Sequence, residues 1–498
     1  MSHINMPIYM NQPTEEQLTA LNMAMDGKSF KIVAYAGAGK TTTLKLIGER
    51  LRGRGLYLAF NKVIATEAQT KFPAHVECRT FHSLAYRHVP RDITAKLSLP
   101  RSSLDRLGND LGLERVQVRR KIEGKNQLVT LSPARLARFV SDAVSQFCST
   151  HASYPASRHI PLPNWIAQDE AEQLRERLYP AVEQRWLQSI DPRHSAGIGH
   201  DIYLKLWALS KPVIPADFLL FDEAQDADPL MMGILTQQPS QVIYVGDAHQ
   251  QIYEWRGAVN AMKRLPLPQS LLTQSFRFGE PIAQIANVFL KALQEEVPLR
   301  GNPNKQSEVV KIPKQGQKDA ILCRTNAAAM VQLLSGLKQG YKIALQADTE
   351  RMLKFCEAAN NLKQGYPAYG VPELAYFYNW RDVQEYAETS EGSDIKTLVK
   401  LVADHGTNVL IKAVNRLSQP DHADYVISTA HKAKGLEWSK VQLDDDFYYD
   451  VSTHGIKVAP EELRLLYVAT TRAQQHLDIH AISDLVNGLQ ANKKLIFT

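Results

Sequence analysis

The stretch "SFKIVAYAGAGKTTTLKLIGERL", Ser29 to Leu51, limits what this chain can fold into more than any other. Its first eight residues are apolar and β-rich, which predicts a buried strand. Leu44, Ile47 and Leu51 then recur at helical spacing, which predicts an amphipathic helix. Gly37, Ala38, Gly39, Lys40 and Thr41 therefore fall on a strand-to-helix turn. Backbone N–H groups at such a turn, together with a helix N-terminus, attract phosphate. Gly37 and Gly39 let the backbone approach closely, Lys40 can reach terminal phosphates, and the Thr41 hydroxyl can ligate Mg²⁺. One position departs from the cradle pattern G-x-x-x-x-G-K-[ST]: its first glycine is replaced by Ala34. Ala34 lies at the predicted strand end, where a methyl group is tolerated if the turn keeps its glycines.

The chain has 498 residues, and at roughly 150 residues per domain that predicts about three or four units. Its net charge of +6 is compatible with a polyanionic partner and equally with surplus surface lysine. The four cysteines, Cys78, Cys148, Cys323 and Cys356, are far apart in sequence. They read as reduced thiols filling cores, not as a metal or disulfide framework. No apolar run is long enough to span a membrane, and "MSHINMPIYMNQ" lacks the pattern of a signal peptide.

Further along, "GLYLAFNKVIATEAQTKFP" predicts a strand over Leu56–Phe60 and then a polar helix. Between Tyr86 and Tyr203 the composition shifts to helical, basic stretches such as "RVQVRRKIEGK", a solvated helix face or a set of phosphate contacts. Ser132 and Pro133 predict the start of a helix there. The α/β pattern returns with "DFLLFDEAQDADPL". Phe218–Phe221 reads as a buried strand with carboxylates at its C-terminal end, where an open parallel sheet presents its site. Asp222 can hold Mg²⁺, directly or through water, and Glu223 can orient or deprotonate an attacking water. A third strand, "QVIYVGD", ends at Asp247, and Gln250 just beyond can sense a terminal phosphate. Tyr253 and Trp255 beside Arg256 offer flat faces and a cation for stacking bases; the alternative is that they are buried aromatics.

A second α/β pattern follows without a second cradle. "ILCRTN", "DYVISTA" and "KVQLDDDF" are its strand candidates, and "APEELRLLYVATTRAQQHL" reads as one amphipathic helix. Two α/β units with one cradle predict a nucleotide between them. Arg277 in "TQSFRFG" and Arg472 in "VATTRA" are then the candidate cations for the transferring phosphoryl group. Taken alone, either is equally a surface salt-bridge residue.

The ordered series "AYAGAGKTTTL", "FNKVIATEA", "RTFHSLAY", "LLFDEAQD", "VGDAHQQIYEWRGA", "LTQSFRFG", "TAHKAKGLEW" and "EELRLLYVATTRA" resembles the motifs of superfamily 1 helicases of the UvrD/Rep type. The wording of "RTFHSLAY" and "TAHKAKGLEW…DDDF" is closest to the F-box DNA helicase branch, and the early P-loop predicts a chain without an F-box. In that family the first cradle position is commonly Ala, so Ala34 fits a working site. The resemblance implies an α/β fold of two RecA-like motor domains with parallel sheets, each carrying an inserted, mainly helical subdomain. The boundaries would be 1–85 and 204–266 for the first motor and 86–203 for its insertion. The second motor would be 267–340 and 422–498, with a short insertion at 341–421.

The resemblance also implies a site. Gln17 would read adenine, Phe276 would stack on it, and Glu437, near Gly435, would contact ribose. With Ala36, Gly37, Ala38, Gly39, Lys40, Thr41 and Thr42 these form the ATP set, and Thr41 and Asp222 the Mg²⁺ set. Lys40, Asp222, Glu223, Gln250, Arg277 and Arg472 would carry the chemistry. Phe60, Asn61, Thr80, His82, Tyr253, Trp255, Arg256 and His431 would contact single-stranded DNA. The expected activity is an ATP-dependent single-stranded-DNA translocase and 3′-to-5′ helicase acting on partial duplexes, in DNA repair or recombination. It would be monomeric in isolation, without a membrane, cytoplasmic in a bacterium or phage host and nuclear in a eukaryote. The rival reading is a non-unwinding, ATP-switched module that displaces or senses other proteins on DNA.

Overall fold

The computed structural model of the chain describes residues 12–497 apart from 123–124, 253–259, 314–317, 369, 372, 375–376, 378 and 389–392. The chain divides into two compact units, Met1–Val89 with Tyr203–Ser275, and Pro90–Ile202 with Phe276–Thr498.

The first unit is built on a six-stranded sheet. Across it the strands run Val76–Arg79, Gly55–Leu58, Phe218–Phe221, Gln241–Gly246, Phe30–Ala34 and Gln269–Leu272. Every adjacent pair is parallel. The four inner strands are near-continuous, mostly buried apolar runs, as strands covered on both faces are, while the edge strands "VECR" and "QSLL" are mixed. Phe30, Ile32, Leu44, Ile47, Tyr57, Leu220, Ile243 and Val245 meet in one core. Since all six strands point the same way, all their C-terminal ends lie on one edge. The strand Gln269–Leu272 corrects the predicted boundary at 266/267: it pairs with Phe30–Ala34, Ala34 opposite Leu272, and completes the first sheet.

In the second unit, the region Pro90–Ile202 is mainly helical, with helices Pro133–Cys148 and Gln168–Ile190. The helix start at Ser132 and Pro133 is as predicted. The described residues of the predicted helical run "RVQVRRKIEGK" are not helical. Val116–Ile122 and Lys125–Leu131 form an antiparallel pair, with Val116 opposite Leu131 and Ile122 opposite Lys125. The alternation of Val116 and Val118 with polar neighbours has period two, the strand period, and that signal outweighs the helix propensity of Arg and Lys.

The rest of the second unit carries another fully parallel sheet in the order Ile343–Gln346, Tyr425–Thr429, Ala320–Cys323, Trp438–Leu443, Ala473–Asp478, Glu308–Val309. Two expectations change here. The strand Ile343–Gln346 belongs to this sheet, so the insertion cannot begin at 341. Helices Thr349–Lys363, Trp380–Ala387, Ser393–His405 and Thr407–Val414 bury Phe355, Trp380, Val402 and Leu410 in one core with Ile321 and Ile427 of the strands. The short insertion is thus a helical layer on the second sheet. The predicted helix "APEELRLLYVATTRAQQHL" ends at Thr470, and Ala473–Asp478 is a strand. Among the described residues no helix is long and apolar enough to cross a membrane. All four cysteines are free thiols, three of them buried.

Candidate active site

The strand Phe30–Ala34 delivers the chain to the sheet edge, and the helix Lys40–Arg50 leaves it. Ala34 is a paired, fully buried strand residue, so its position needs no glycine conformation. Gly37 and Gly39 do: their φ angles are +72° and +78°, which a side chain disfavours. Ala36 and Ala38 are buried in the turn and Thr42 faces solvent.

Asp222 follows the strand Phe218–Phe221 on the same edge. Thr41 Oγ1 lies 3.4 Å from Asp222 Oδ2, and that oxygen also accepts a 2.7 Å hydrogen bond from the Tyr57 hydroxyl. Asp222 Oδ1 accepts from the Glu223 amide at 2.9 Å. Burial first, then the neighbouring Glu223 charge, push the Asp222 carboxyl up to about 6, against the opposing pull of Lys40 and the Tyr57 hydrogen bond. Burial, followed by the Asp222 charge, raises the Tyr57 phenol, which stays a proton donor. A buried carboxylate beside a hydroxyl is an oxygen-only donor set of the kind Mg²⁺ prefers, and a divalent cation would reverse the cost of ionising Asp222. Thr41 and Asp222 fit that ion.

Glu223 takes a left-handed backbone, φ 54° and ψ 43°, a conformation that costs a non-glycine residue roughly 1–2 kcal/mol. Its carboxylate sits 3.2 Å from Lys40 Nζ. Burial lowers the Lys40 pKa, but the Glu223, Asp247 and Asp222 carboxylates outweigh it and leave the ammonium favoured. Gln250 lies in the turn after the strand Gln241–Gly246 and donates to Asp247 Oδ2 at 2.8 Å. Gln17 is 5% exposed. Its carbonyl caps Thr14 N at 3.0 Å, and its amide donates to Thr43 Oγ1 at 3.2 Å, which in turn donates to Gly39 O. An amide has two donors and two acceptor sites, so one of each remains, the pair that adenine N7 and N6 match.

Phe60 and Thr80 follow the two strands beyond Phe218–Phe221 on this same edge. Phe60 is 47% exposed. Asn61 and Thr80 cap the helices Lys62–Lys71 and Phe81–His88, accepting from Ile64 N and Ser83 N. His82 packs edge-on to Tyr203. Tyr253, Trp255 and Arg256 lie outside the described residues.

In the second unit, Arg277 pairs with Glu437 and donates to Thr471 O at 2.8 Å, while Gln474 donates to the other Glu437 oxygen. Arg472 is 1% exposed. It donates to Val468 O, Leu436 O and Thr471 Oγ1. Arg472 stands in the turn between the helix Pro460–Thr470 and its following strand, so its charge folds back on the carbonyl end of that helix, where a cation is favoured. Three segments distant in sequence, around 277, 437 and 472, thereby meet. Gly435 holds φ +86° in the turn between His431 and Glu437, and Phe276 is half-buried beside Arg277. Cys323, Asp444 and Asp446 lie within 4.8 Å of one another, but their acceptors are committed. Asp446 takes Arg324 N, Thr325 N and the Thr325 hydroxyl, and Asp444 takes the Cys323 thiol and Gln332. This is a hydrogen-bonded strand-end cluster rather than a ready metal site.

Sequence reasoning missed Tyr57 and Gln225. The signal for Tyr57 was a hydroxyl inside the apolar strand "GLYL", since a buried Tyr O–H needs a partner. Gln225 carried no local signal beyond its place after Glu223.

An AAA domain family model matches residues 17–256, and the model of the UvrD-like helicase C-terminal domain matches residues 341–484. F-box DNA helicase protein 1 of Schizosaccharomyces pombe is 30% identical over 525 aligned residues, which take in 96% of this chain. F-box DNA helicase 1 of Gallus gallus is 30% identical over 93% of this chain. The chain belongs to the UvrD-like superfamily 1 helicases. A probable DNA helicase II homolog of Mycoplasma genitalium is 23% identical over 54% of this UvrD-like chain and 55% of its own length. The chain spans 58% and 48% of the two F-box relatives, about half their length. Beside the family match stands the site geometry of this UvrD-like chain: the glycine turn with Lys40, the Thr41–Asp222 pair and Glu223, all on one edge of one sheet.

Proposed function

We propose that this chain is an ATP-driven motor on single-stranded DNA, which hydrolyses ATP with Mg²⁺, moves 3′-to-5′ and unwinds duplex in DNA repair or recombination. The observation that carries the ATPase reading is the 3.2 Å ion pair between Lys40 and Glu223 across the cradle. The terminal phosphate competes with Glu223 for Lys40. Its arrival frees a carboxylate, already held over the cradle by its left-handed backbone, to orient a water in line with the transferring phosphoryl group. Thr41 and Asp222 would hold Mg²⁺, which would neutralise charge on the terminal phosphates. Gln17 reads adenine with its remaining donor and acceptor, Phe276 stacks on the base and Glu437 meets the ribose. Gln250 senses the terminal phosphate, and Arg277 and Arg472 supply charge to the transition state.

The DNA reading is supported by placement. Phe60, Asn61, Thr80 and His82 follow neighbouring strands on the edge that carries the cradle, so a strand gripped there lies beside the chemistry. Phe60 offers an exposed face for stacking, worth roughly 1–3 kcal/mol per base. His431, Tyr253, Trp255 and Arg256 are DNA-contact candidates on the family resemblance alone. The direction comes from the family. The test is a pair of partial duplexes, one 3′-tailed and one 5′-tailed, each also prepared with a streptavidin block. Single-stranded DNA should raise ATP turnover sharply, and the 3′-tailed duplex alone should be unwound. Unwinding from the 5′ tail alone refutes the direction. Streptavidin displacement without unwinding replaces the helicase by a protein-displacing module.

A further inference from the structure

The side chain of Gln225 is completely buried. Its amide nitrogen donates to Glu223 Oε2 at 2.5 Å and lies 3.5 Å from Asp226 Oδ2. Its amide oxygen accepts from Asp247 N at 3.0 Å. One side chain thus ties the carboxylate at the end of the strand Phe218–Phe221 to the first residue of the turn Asp247–Gln250, at the end of the neighbouring strand. That turn is stiff on its own account. Asp247 accepts from His249 N at 3.0 Å and from the Gln250 amide at 2.8 Å, so whatever fixes Asp247 also fixes Gln250. The backbone leaves room for this bridge: a Cβ on Gly246 would stand 2.4 Å from Gln225 Oε1, a separation that forces the amide aside.

We propose that Gln225 is a positioning residue that sets Glu223 and the Gln250 turn relative to each other, so that the water-orienting carboxylate and the terminal-phosphate sensor are placed as one body. This rests on the ATPase reading above. The amide is suited to the task because it offers a donor to a carboxylate and an acceptor to a backbone N–H at once. Glutamate of the same size keeps only the acceptor. It faces Glu223 with a second carboxylate, and like charges at that distance repel. Glu223 also faces Lys40 and Asp222, so it retains a cation to turn toward and the cradle stays formed. A shift of about 1 Å in a reacting group can cost on the order of 10²-fold in rate, while the contacts that bind nucleotide are untouched.

The experiment compares wild type, Gln225→Glu, Gly246→Ala and Gln225→Ala/Gly246→Ala, with Gln225→Ala as the fourth corner of a double-mutant cycle. Each is checked for folding by thermal melting, for binding of a fluorescent non-hydrolysable ATP analogue, and for kcat and KM with single-stranded DNA present. The expected result is analogue affinity within about threefold of wild type and kcat lower by about 10²-fold in Gln225→Glu and Gly246→Ala. Gly246→Ala should cost less in the Gln225→Ala background than in wild type, because the nearest group it displaces is gone and only Met262 Cγ at 3.1 Å and Ala224 N at 3.2 Å stay close. Folded Gln225→Glu with wild-type kcat overturns the bridge, and so does a parallel loss of analogue binding and turnover, which marks a merely structural role. Additive losses in the cycle overturn it as well. A wild-type protein that hydrolyses no ATP overturns the ATPase reading first, and is told apart because no variant comparison is then needed.

Discussion

Tyr57→Phe removes one oxygen and leaves the rest of the site standing. The Tyr57 ring is fully buried and packs against Phe72 at a centroid distance of 4.7 Å, and phenylalanine keeps that packing. What is lost is the 2.7 Å hydrogen bond to Asp222 Oδ2, the oxygen nearest Thr41. A hydrogen bond to a charged group contributes about 1.5–3 kcal/mol, and one pKa unit is about 1.4 kcal/mol. The Asp222 carboxyl, already raised to about 6 by burial and by Glu223, should therefore rise by roughly one to two units. The sign follows from which form is stabilised: the hydroxyl favours the carboxylate, so its loss favours the acid. In wild type Mg²⁺ must displace a proton only below about pH 6. In Tyr57→Phe it must do so at pH 7, where apparent affinity should fall about two- to tenfold, with more protons released on binding. The assay is Mn²⁺ or Mg²⁺ titration of the protein with non-hydrolysable nucleotide from pH 5 to 8, read by calorimetry in two buffers of different ionisation heat. A folded Tyr57→Phe protein whose metal affinity and its pH midpoint match wild type would refute the reasoning.

Lys40→Ala should abolish ATP turnover, whereas Glu223→Gln should bind ATP and lose turnover because Asp222 remains; wild-type turnover in the latter removes Glu223 from its role. Arg277→Ala and Arg472→Ala should each cost on the order of 10³-fold in kcat, but only Arg472→Ala should also lower the melting temperature clearly, since it empties a fully buried position and removes three hydrogen bonds, two of them buried. Equal melting temperatures with equal turnover losses would show that the buried contacts of Arg472 contribute nothing measurable. Gln17→Leu should raise the KM for ATP several-fold while discrimination between ATP and GTP shrinks, and unchanged discrimination would release Gln17 to its capping role alone.

The sequence by itself determined the parts of the site that are contiguous in the chain. Phe30–Ala34, the two left-handed glycines and the helix from Lys40 form a local strand–turn–helix, and its phosphate-directed N–H groups follow from backbone conformation over a dozen residues. The carboxylates after Phe218–Phe221 were legible for the same reason: an apolar run sets the strand, and polar residues just past its end must stand at the sheet edge. Tertiary structure alone decided how the edges align. Nothing in "QSLL" says that Gln269–Leu272 completes the first sheet, because strand order is set by crossovers and not by local periodicity. The same holds for Ile343–Gln346 in the second sheet. Tyr57 meets Asp222 across 165 residues, and Gln225 meets Asp247 across 22. Both contacts exist because buried polar groups must find partners wherever the packed strands bring them, and only the folded sheet says which partners those are.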